Sequence, residues 1–315
     1  MSSVQAPLEA GGVRTCRPGR HGRMRPGTLP LRWRSNADFG TVMSYTEILY
    51  EIRERVATIT LNRPDKLNAW TRTMDSEVRA AVQRAADNPE VGAIVVTGAG
   101  RGFCAGADMN LLGGIAADRA VAGHVRQDVS VPAGDSLTAN YVAAFGYLLR
   151  VGKPVIAAIN GPVAGIGLCF TLYCDIRLMA DGAKLTTAFA RRGLIAEHGI
   201  SWMLPRLIGP MRALDLLLSA RAVPASEVAK MGLVKLLPQE GFADAAHAAA
   251  VELAQLSSPR SMAVIKRQVY DALFQSLARA TEVADLEMFK SFGSEDFREG
   301  VAHFVEKRPP AFTGR

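Results

Sequence analysis

The chain has 315 residues, 49% of them apolar, and a formal net charge of +7. That length exceeds the ~100–200 residues of a usual domain, so one large domain, or one domain with an appendage, is expected. The charge does not make the body a polyanion binder: seven arginines stand in the first 42 residues against Glu9 and Asp38, and the remainder is close to balanced.

Residues 1–42 mix Arg with Gly and Pro and show neither apolar periodicity nor a secretory apolar core. They are expected to be a disordered basic extension; a transit peptide and a mis-assigned start ahead of Met43 are two further readings of the same segment. The patterned domain begins after it. Residues 48–52 and 56–61 alternate apolar with polar and predict an opening pair of strands across a charged break. Met74, Val78, Ala81, Val82 and Ala85 fall at helical spacing until Asp87-Asn88-Pro89 ends the run. Residues 91–97 predict a buried strand, followed by a Gly-rich loop over 98–108. Residues 113–136 read as a long mobile segment of the kind that covers a site, and 139–149 as a helix.

The stretch 153–175, KPVIAAINGPVAGIGLCFTLYCD, organises the rest. A strand (155–159) ends at Asn160-Gly161-Pro162, and Gly165 and Gly167 open a second apolar run that reads as a helix. Free N–H groups at such a junction can hold an oxygen that gains negative charge, a candidate oxyanion hole; an ordinary packed turn gives the same pattern. The run from 155 to 174 lacks charge but is too interrupted for a membrane span. Residues 175–180 predict another strand. Helical patterns dominate after Ile200, at 227–231, at 242–255, in a longer region from Pro259, and in a last helix capped at Ser294 that reaches Lys307. The expected class is α/β, with a core over 43–255 and a C-terminal helical region over 256–315.

Four cysteines (16, 104, 169 and 174) have no paired metal-ligand spacing, so no metal is expected, and a reducing cytoplasmic setting fits. The GxxxxGK[ST], GxGxxG and GxSxG patterns are absent, which excludes a P-loop, a dinucleotide fold and a serine hydrolase elbow.

Residues 62–69 (NRPDKLNA), 102–108 (GFCAGAD), 153–161 (KPVIAAING), Cys174-Asp175 and 299–309 (EGVAHFVEKRP) together resemble the enoyl-CoA hydratase/isomerase, or crotonase, superfamily. The likeness runs in order from about Tyr45 to Phe312. It implies a crotonase-like core of repeated ββα units, with 256–315 as the trimerisation region of a homotrimer or dimer of trimers. It implies an acyl-CoA thioester substrate, and no cofactor beyond the coenzyme A that the substrate carries. Two backbone N–H groups would hold the thioester oxygen, and by motif position these are Ala107 and Ile166. Each such donor is typically worth roughly 2.7–4 kcal/mol in the transition state. The family usually has Gly where Ile166 stands, and a β-branched side chain there is expected to narrow the acyl channel. Substrate-binding positions fall on Lys66 and Ala69 near the nucleotide, on Ala105, Asp108 and Met109 along the thioester arm, and on Phe304 and Lys307 toward a neighbouring subunit's coenzyme A.

The two glutamates of the family's hydratases align with Cys169 and Phe189. Cys169 reads as a small core residue and Phe189 as a wall of the acyl pocket. Glu197 matches a position where some 3-enoyl-CoA and dienoyl-CoA isomerases place a catalytic carboxylate, and where a related dehalogenase has its nucleophilic Asp. Capping of a helix start is the other reading of Glu197, and His198 reads as a packing or capping residue. Asp118, Asp128 or Asp135 of the 113–136 segment could also supply the acid.

The leading expectation is double-bond isomerisation, with Glu197 shuttling a proton on a thioester enolate. Hydration of 2-enoyl-CoA is the close alternative, and an acyl-CoA-binding protein without catalysis is a second class. Nucleic-acid binding by the Arg-rich tail is a third; neither a nucleic-acid nor a membrane partner is expected.

Overall fold

Ile48–Arg53 (β1) and Val56–Leu61 (β2) pair antiparallel, with Arg53 opposite Val56. The two residues between them, Glu54 and Arg55, have φ of 50° and 65°, as a tight two-residue hairpin requires. The computed structural model describes residues 44–110, 113–114, 141 and 144–315. The basic extension over 1–42 and the candidate acids Asp118, Asp128 and Asp135 lie outside the described residues.

From β2 the chain crosses to a parallel neighbour through Arg72–Asp87 (α1). Thr71 caps that helix, its hydroxyl accepting the Met74 N–H at 3.0 Å, and the periodic residues Met74, Val78, Ala81, Val82 and Ala85 are its buried face. Ala93–Gly98 (β3), Val155–Ile159 (β4), Ile176–Ala180 (β6) and Lys235–Leu237 (β9) continue the sheet in parallel, giving the order β1-β2-β3-β4-β6-β9. β4 is buried at every position, which explains its unbroken apolar run. A smaller sheet joins Val163–Ala164 (β5), Lys184–Thr186 (β7) and Val223–Pro224 (β8). Strands of two or three residues carry no readable alternation in the sequence. The expected α/β class with C-terminal helices is the architecture found.

Tyr147–Arg150 (α2) is one turn. Within the described part of the helix expected over 139–149, Ala144 has φ of 48°, so the regular helix does not run through it. Gly165–Leu172 (α3) is the helix of the organising stretch. Ile200–Ile208 (α4) and Pro210–Ser219 (α5) follow, joined at Gly209, then Ala225–Lys230 (α6) and Phe242–Leu256 (α7). The longer helical region expected from Pro259 consists of two helices, Pro259–Ala272 (α8) and Leu277–Phe292 (α9). Ser276 restarts it, its side chain accepting the Arg279 N–H. Glu295–Glu306 (α10) is capped by Ser294 as expected.

A buried ion pair fastens α8 to the core. Lys266 Nζ meets Asp175 Oδ2 at 2.7 Å and donates to the carbonyls of Leu148 and Lys153, at 2.9 and 3.1 Å. Asp175 also accepts from Tyr270 Oη at 2.9 Å and from the Val155 N–H at 2.7 Å. The Cys174-Asp175 motif is thus a structural hook at the β4–β6 edge.

Candidate active site

Two asparagines and an arginine hold the loops that leave the carboxyl ends of the parallel strands. Asn68 is fully buried at φ 56°, a conformation Asn tolerates. Its Oδ1 accepts the Arg63 N–H at 2.9 Å, and its Nδ2 donates to the carbonyls of Ala99 and Gly102 at 3.0 and 2.8 Å. Asn160 grips the same Gly-rich loop from β4, accepting the Gly98 N–H at 3.1 Å and donating to the Gly98 and Gly100 carbonyls at 2.9 Å each. A Cβ at Gly98 would strike the Gly102 carbonyl and the Asn68 amide, so only Gly permits this approach. The Arg63 guanidinium then spans Ala69 O at 2.6 Å, Asp108 Oδ2 at 2.9 Å and Glu47 Oε1 at 3.4 Å.

These clamps set residues 104–108 as a strip between two neighbours, bent at Gly106, whose φ is 107°. On one side Ala105 N–H donates to Leu67 O, Trp70 N–H to Gly106 O, and Asp108 N–H to Trp70 O, at 2.8–3.0 Å. Because the Gly106 carbonyl faces Trp70, the Ala107 N–H of the same planar trans peptide points away from it. On that far side Cys104 O receives the Ala164 N–H at 2.9 Å, and a Cβ added to Gly165 would sit 3.8 Å from Gly106 Cα. The first turn of α3 therefore abuts the strip. Its N-cap, Ala164, offers no side-chain cap, so the N–H groups of its first turn are free of intrahelical partners. Neither Ala107 N–H nor Ile166 N–H has a hydrogen-bond partner among the described residues.

The left-handed conformation at this junction falls on Gly165, with φ of 51°, and not on Ile166. That is why a β-branched residue is accommodated at position 166. Its side chain is half-buried against the core. At Gly167 a Cβ would run into Cys104, so the helix and the strip touch there without room for any side chain.

Cys169 lies on α3 three residues beyond Ile166, on the same helix face, fully buried. Burial pushes its thiol far above the ordinary range, and the charge of nearby Glu197 adds to the shift. A protonated, enclosed thiol is no base or nucleophile at neutral pH. Phe189 is also buried, within the core cluster, its carbonyl accepting the N–H groups of Arg192 and Leu194. Neither position carries a carboxylate.

Glu197 brings a carboxylate close enough to Cys169 for its charge to act on the thiol. Its backbone carbonyl contacts the Cys169 thiol, with Sγ 3.8 Å away, and its side chain is about one-third exposed, with Oε2 3.7 Å from His198 Nε2. Ile200 N–H donates to Glu197 O, so the residue does sit at the start of α4, with its carboxylate left free of any hydrogen bond to a backbone N–H there. His198 packs on the Phe145 ring at 6.0 Å, and burial lowers its pKa against the opposing pull of Glu197. It is a neutral packing residue.

The other expected binding residues divide. Lys66 ends a short 3₁₀ turn and is exposed, as is Met109. Both polar backbone groups of Ala69 are engaged, with Lys66 O and Arg63. Asp108 is spent on the loop itself: the Asn110 N–H and Arg63 hold its carboxyl below the usual range. Phe304 is 79% exposed on α10, and Lys307 closes that helix at φ 54°. No hydrogen bond or ion pair joins either to the loop residues among the described residues. Arg63, Asn68 and Asn160 were visible only as motif letters. Arg192, whose Nη1 would lie 3.9 Å from a Cβ at Gly106, had no signal in the sequence.

The enoyl-CoA hydratase/isomerase family model matches residues 51–315. The chain belongs to this family. A probable enoyl-CoA hydratase of Mycobacterium bovis is 34% identical over 275 residues, covering 87% of this chain and all of the relative. The 1,2-epoxyphenylacetyl-CoA isomerase of Escherichia coli is 34% identical over 273 residues, covering 85% and 98%. The crystal structure of a probable enoyl-CoA hydratase/isomerase from Mycobacterium abscessus superposes with a TM-score of 0.75 at 32% identity, over 86% of this chain and all of that one. The chain is an enoyl-CoA hydratase/isomerase family enzyme with the crotonase fold. No helix among the described residues is long and apolar enough to cross a membrane.

Proposed function

We propose that this enzyme moves the double bond of a 3-enoyl-CoA to the 2-position. The Ala107 and Ile166 N–H groups hold the thioester oxygen as it gains charge, which acidifies the adjacent carbon. Glu197 takes a proton from C2, the electrons pass into an enolate conjugated with the old double bond, and Glu197 returns the proton to C4. One carboxylate suffices and no water enters. The observation that carries this reading is the Glu197 backbone standing against the Cys169 thiol, one helical turn from Ile166, with the Glu197 side chain about one-third exposed beside it.

Several relatives are named hydratases, and hydration is the competing reading. Supplying 3-enoyl-CoA and 2-enoyl-CoA separately and weighing the products decides between them. Isomerisation leaves the mass unchanged, whereas hydration of the 2-enoyl thioester adds one water and would overturn the proposal. Lys66 and Met109, exposed beside the strip, are suited to the coenzyme A arm, and Ala105 to the pantetheine chain. Residues Leu277, Phe289, Phe292, Phe304 and Val305 leave a broad apolar surface on α9 and α10, which supports assembly with further copies of this chain. Phe304 and Lys307 would then contact a neighbour's substrate.

A further inference from the structure

Tyr173 closes α3, with its ring nearly buried and angled against Phe145 at 6.0 Å. Its hydroxyl donates to the carbonyl of His198 at 2.9 Å. That carbonyl belongs to the central peptide of a turn over 197–200, closed by the Ile200 N–H to Glu197 O bond at 3.0 Å. Both inner residues have positive φ, 53° at His198 and 72° at Gly199, the pattern of a type I′ turn. A histidine in the left-handed region is strained and persists only where its surroundings hold it.

Gly199 is required here twice: its φ suits glycine, and a Cβ would land on the Tyr173 hydroxyl. The Cys169 thiol touches the Glu197 carbonyl from the same helix. Cys169 and Tyr173 are four residues apart, so one face of the C-terminal half of α3 grips the turn at two points. Burial pushes the Tyr173 phenol up to about 12, which keeps the hydroxyl a donor throughout the neutral range.

We propose that Tyr173 is a positioning residue for the reaction: its hydroxyl pins the 197–200 turn against the C-terminal half of α3 and so fixes the backbone that carries the Glu197 carboxylate. This rests on Glu197 being the proton-transferring acid. The residue touches no reacting atom and acts only through the turn.

The test is Tyr173→Phe, which removes the hydroxyl and keeps the ring, measured beside Glu197→Gln and the double variant on 3-enoyl-CoA. Loosening the acid by a fraction of an ångström to an ångström is expected to lower kcat roughly 10- to 100-fold, with KM within about twofold because binding does not use the hydroxyl. In the Glu197→Gln background the same change is expected to cost nothing further, since residues acting as a unit are not additive. Amide hydrogen exchange at Ile200 is expected to quicken in Tyr173→Phe, a readout independent of turnover. An unchanged kcat with unchanged Ile200 exchange would overturn the proposal, as would an equal fold-loss in the Glu197→Gln background. Full turnover by Glu197→Gln alone would instead remove the acid assignment, so the two failures are distinguishable.

Discussion

Replacing Asn68 by Ala strikes the loop that presents Ala107 without touching the site itself. Three hydrogen bonds vanish, and the Arg63 N–H and the Ala99 and Gly102 carbonyls lose a partner in a fully buried spot. At about 1 kcal/mol net for each bond this is ~3 kcal/mol. Ala must also hold φ near 56°, which costs about 1 kcal/mol more than it costs Asn. The expected loss is about 3–5 kcal/mol in urea unfolding, a large part of a typical domain's stability. Turnover is expected to fall in parallel under conditions where the variant remains folded, because the 104–108 strip depends on the same clip. Asn68→Asp keeps the acceptor for Arg63 but turns a carboxylate oxygen toward the Ala99 and Gly102 carbonyls in a buried site, and should cost at least as much. A loss under ~1 kcal/mol for Asn68→Ala would refute the idea that this side chain sets the loop.

Asp175→Asn leaves Lys266 buried without its counter-charge, and removing one partner of such a pair costs about 3–5 kcal/mol; denaturant unfolding should show it, with α8 the first element to lose exchange protection. Asp108 gives a pH signature. Its carboxyl titrates below the usual range in the folded chain, so the stability it contributes is present above the unfolded carboxyl's pKa of ~3.9 and is lost as pH falls through the folded value. Stability of the parent relative to Asp108→Asn is therefore expected to be flat from neutral pH to about 5 and to shrink below ~4, as urea midpoints across that range would report. The α9–α10 surface is testable by sedimentation: Phe289→Glu is expected to shift the protein toward smaller species, and an unchanged distribution would argue against packing there.

Much of the frame was legible because its elements carry strong patterns. The α1 face, the buried β4 run and the Ser294 cap came from periodicity and capping chemistry, and the turn into α3 from glycines placed where strand meets helix. Glu197 was singled out by the family resemblance, which puts a catalytic carboxylate at its position in some isomerases. What escaped the sequence depends on long-range pairing: Asn68 with Gly102, Asn160 with Gly98, and Tyr173 with His198 are links over 25 or more residues that no local pattern encodes. The second sheet escaped because its strands are two or three residues long. The break between α8 and α9, inside the longer helical region expected from Pro259, is marked in the sequence by the Ser276 cap alone, without Gly or Pro.

The most direct test of the account is the turnover of 3-enoyl-CoA by Glu197→Gln, with binding of an unreactive acyl-CoA analogue measured on the same preparation. Gln keeps the size of the side chain and cannot carry the proton. The account expects analogue affinity to stay within about twofold and kcat to fall by roughly 10²–10⁴. A variant that binds and turns over like the parent would contradict it, since the proton would then be moved by another group.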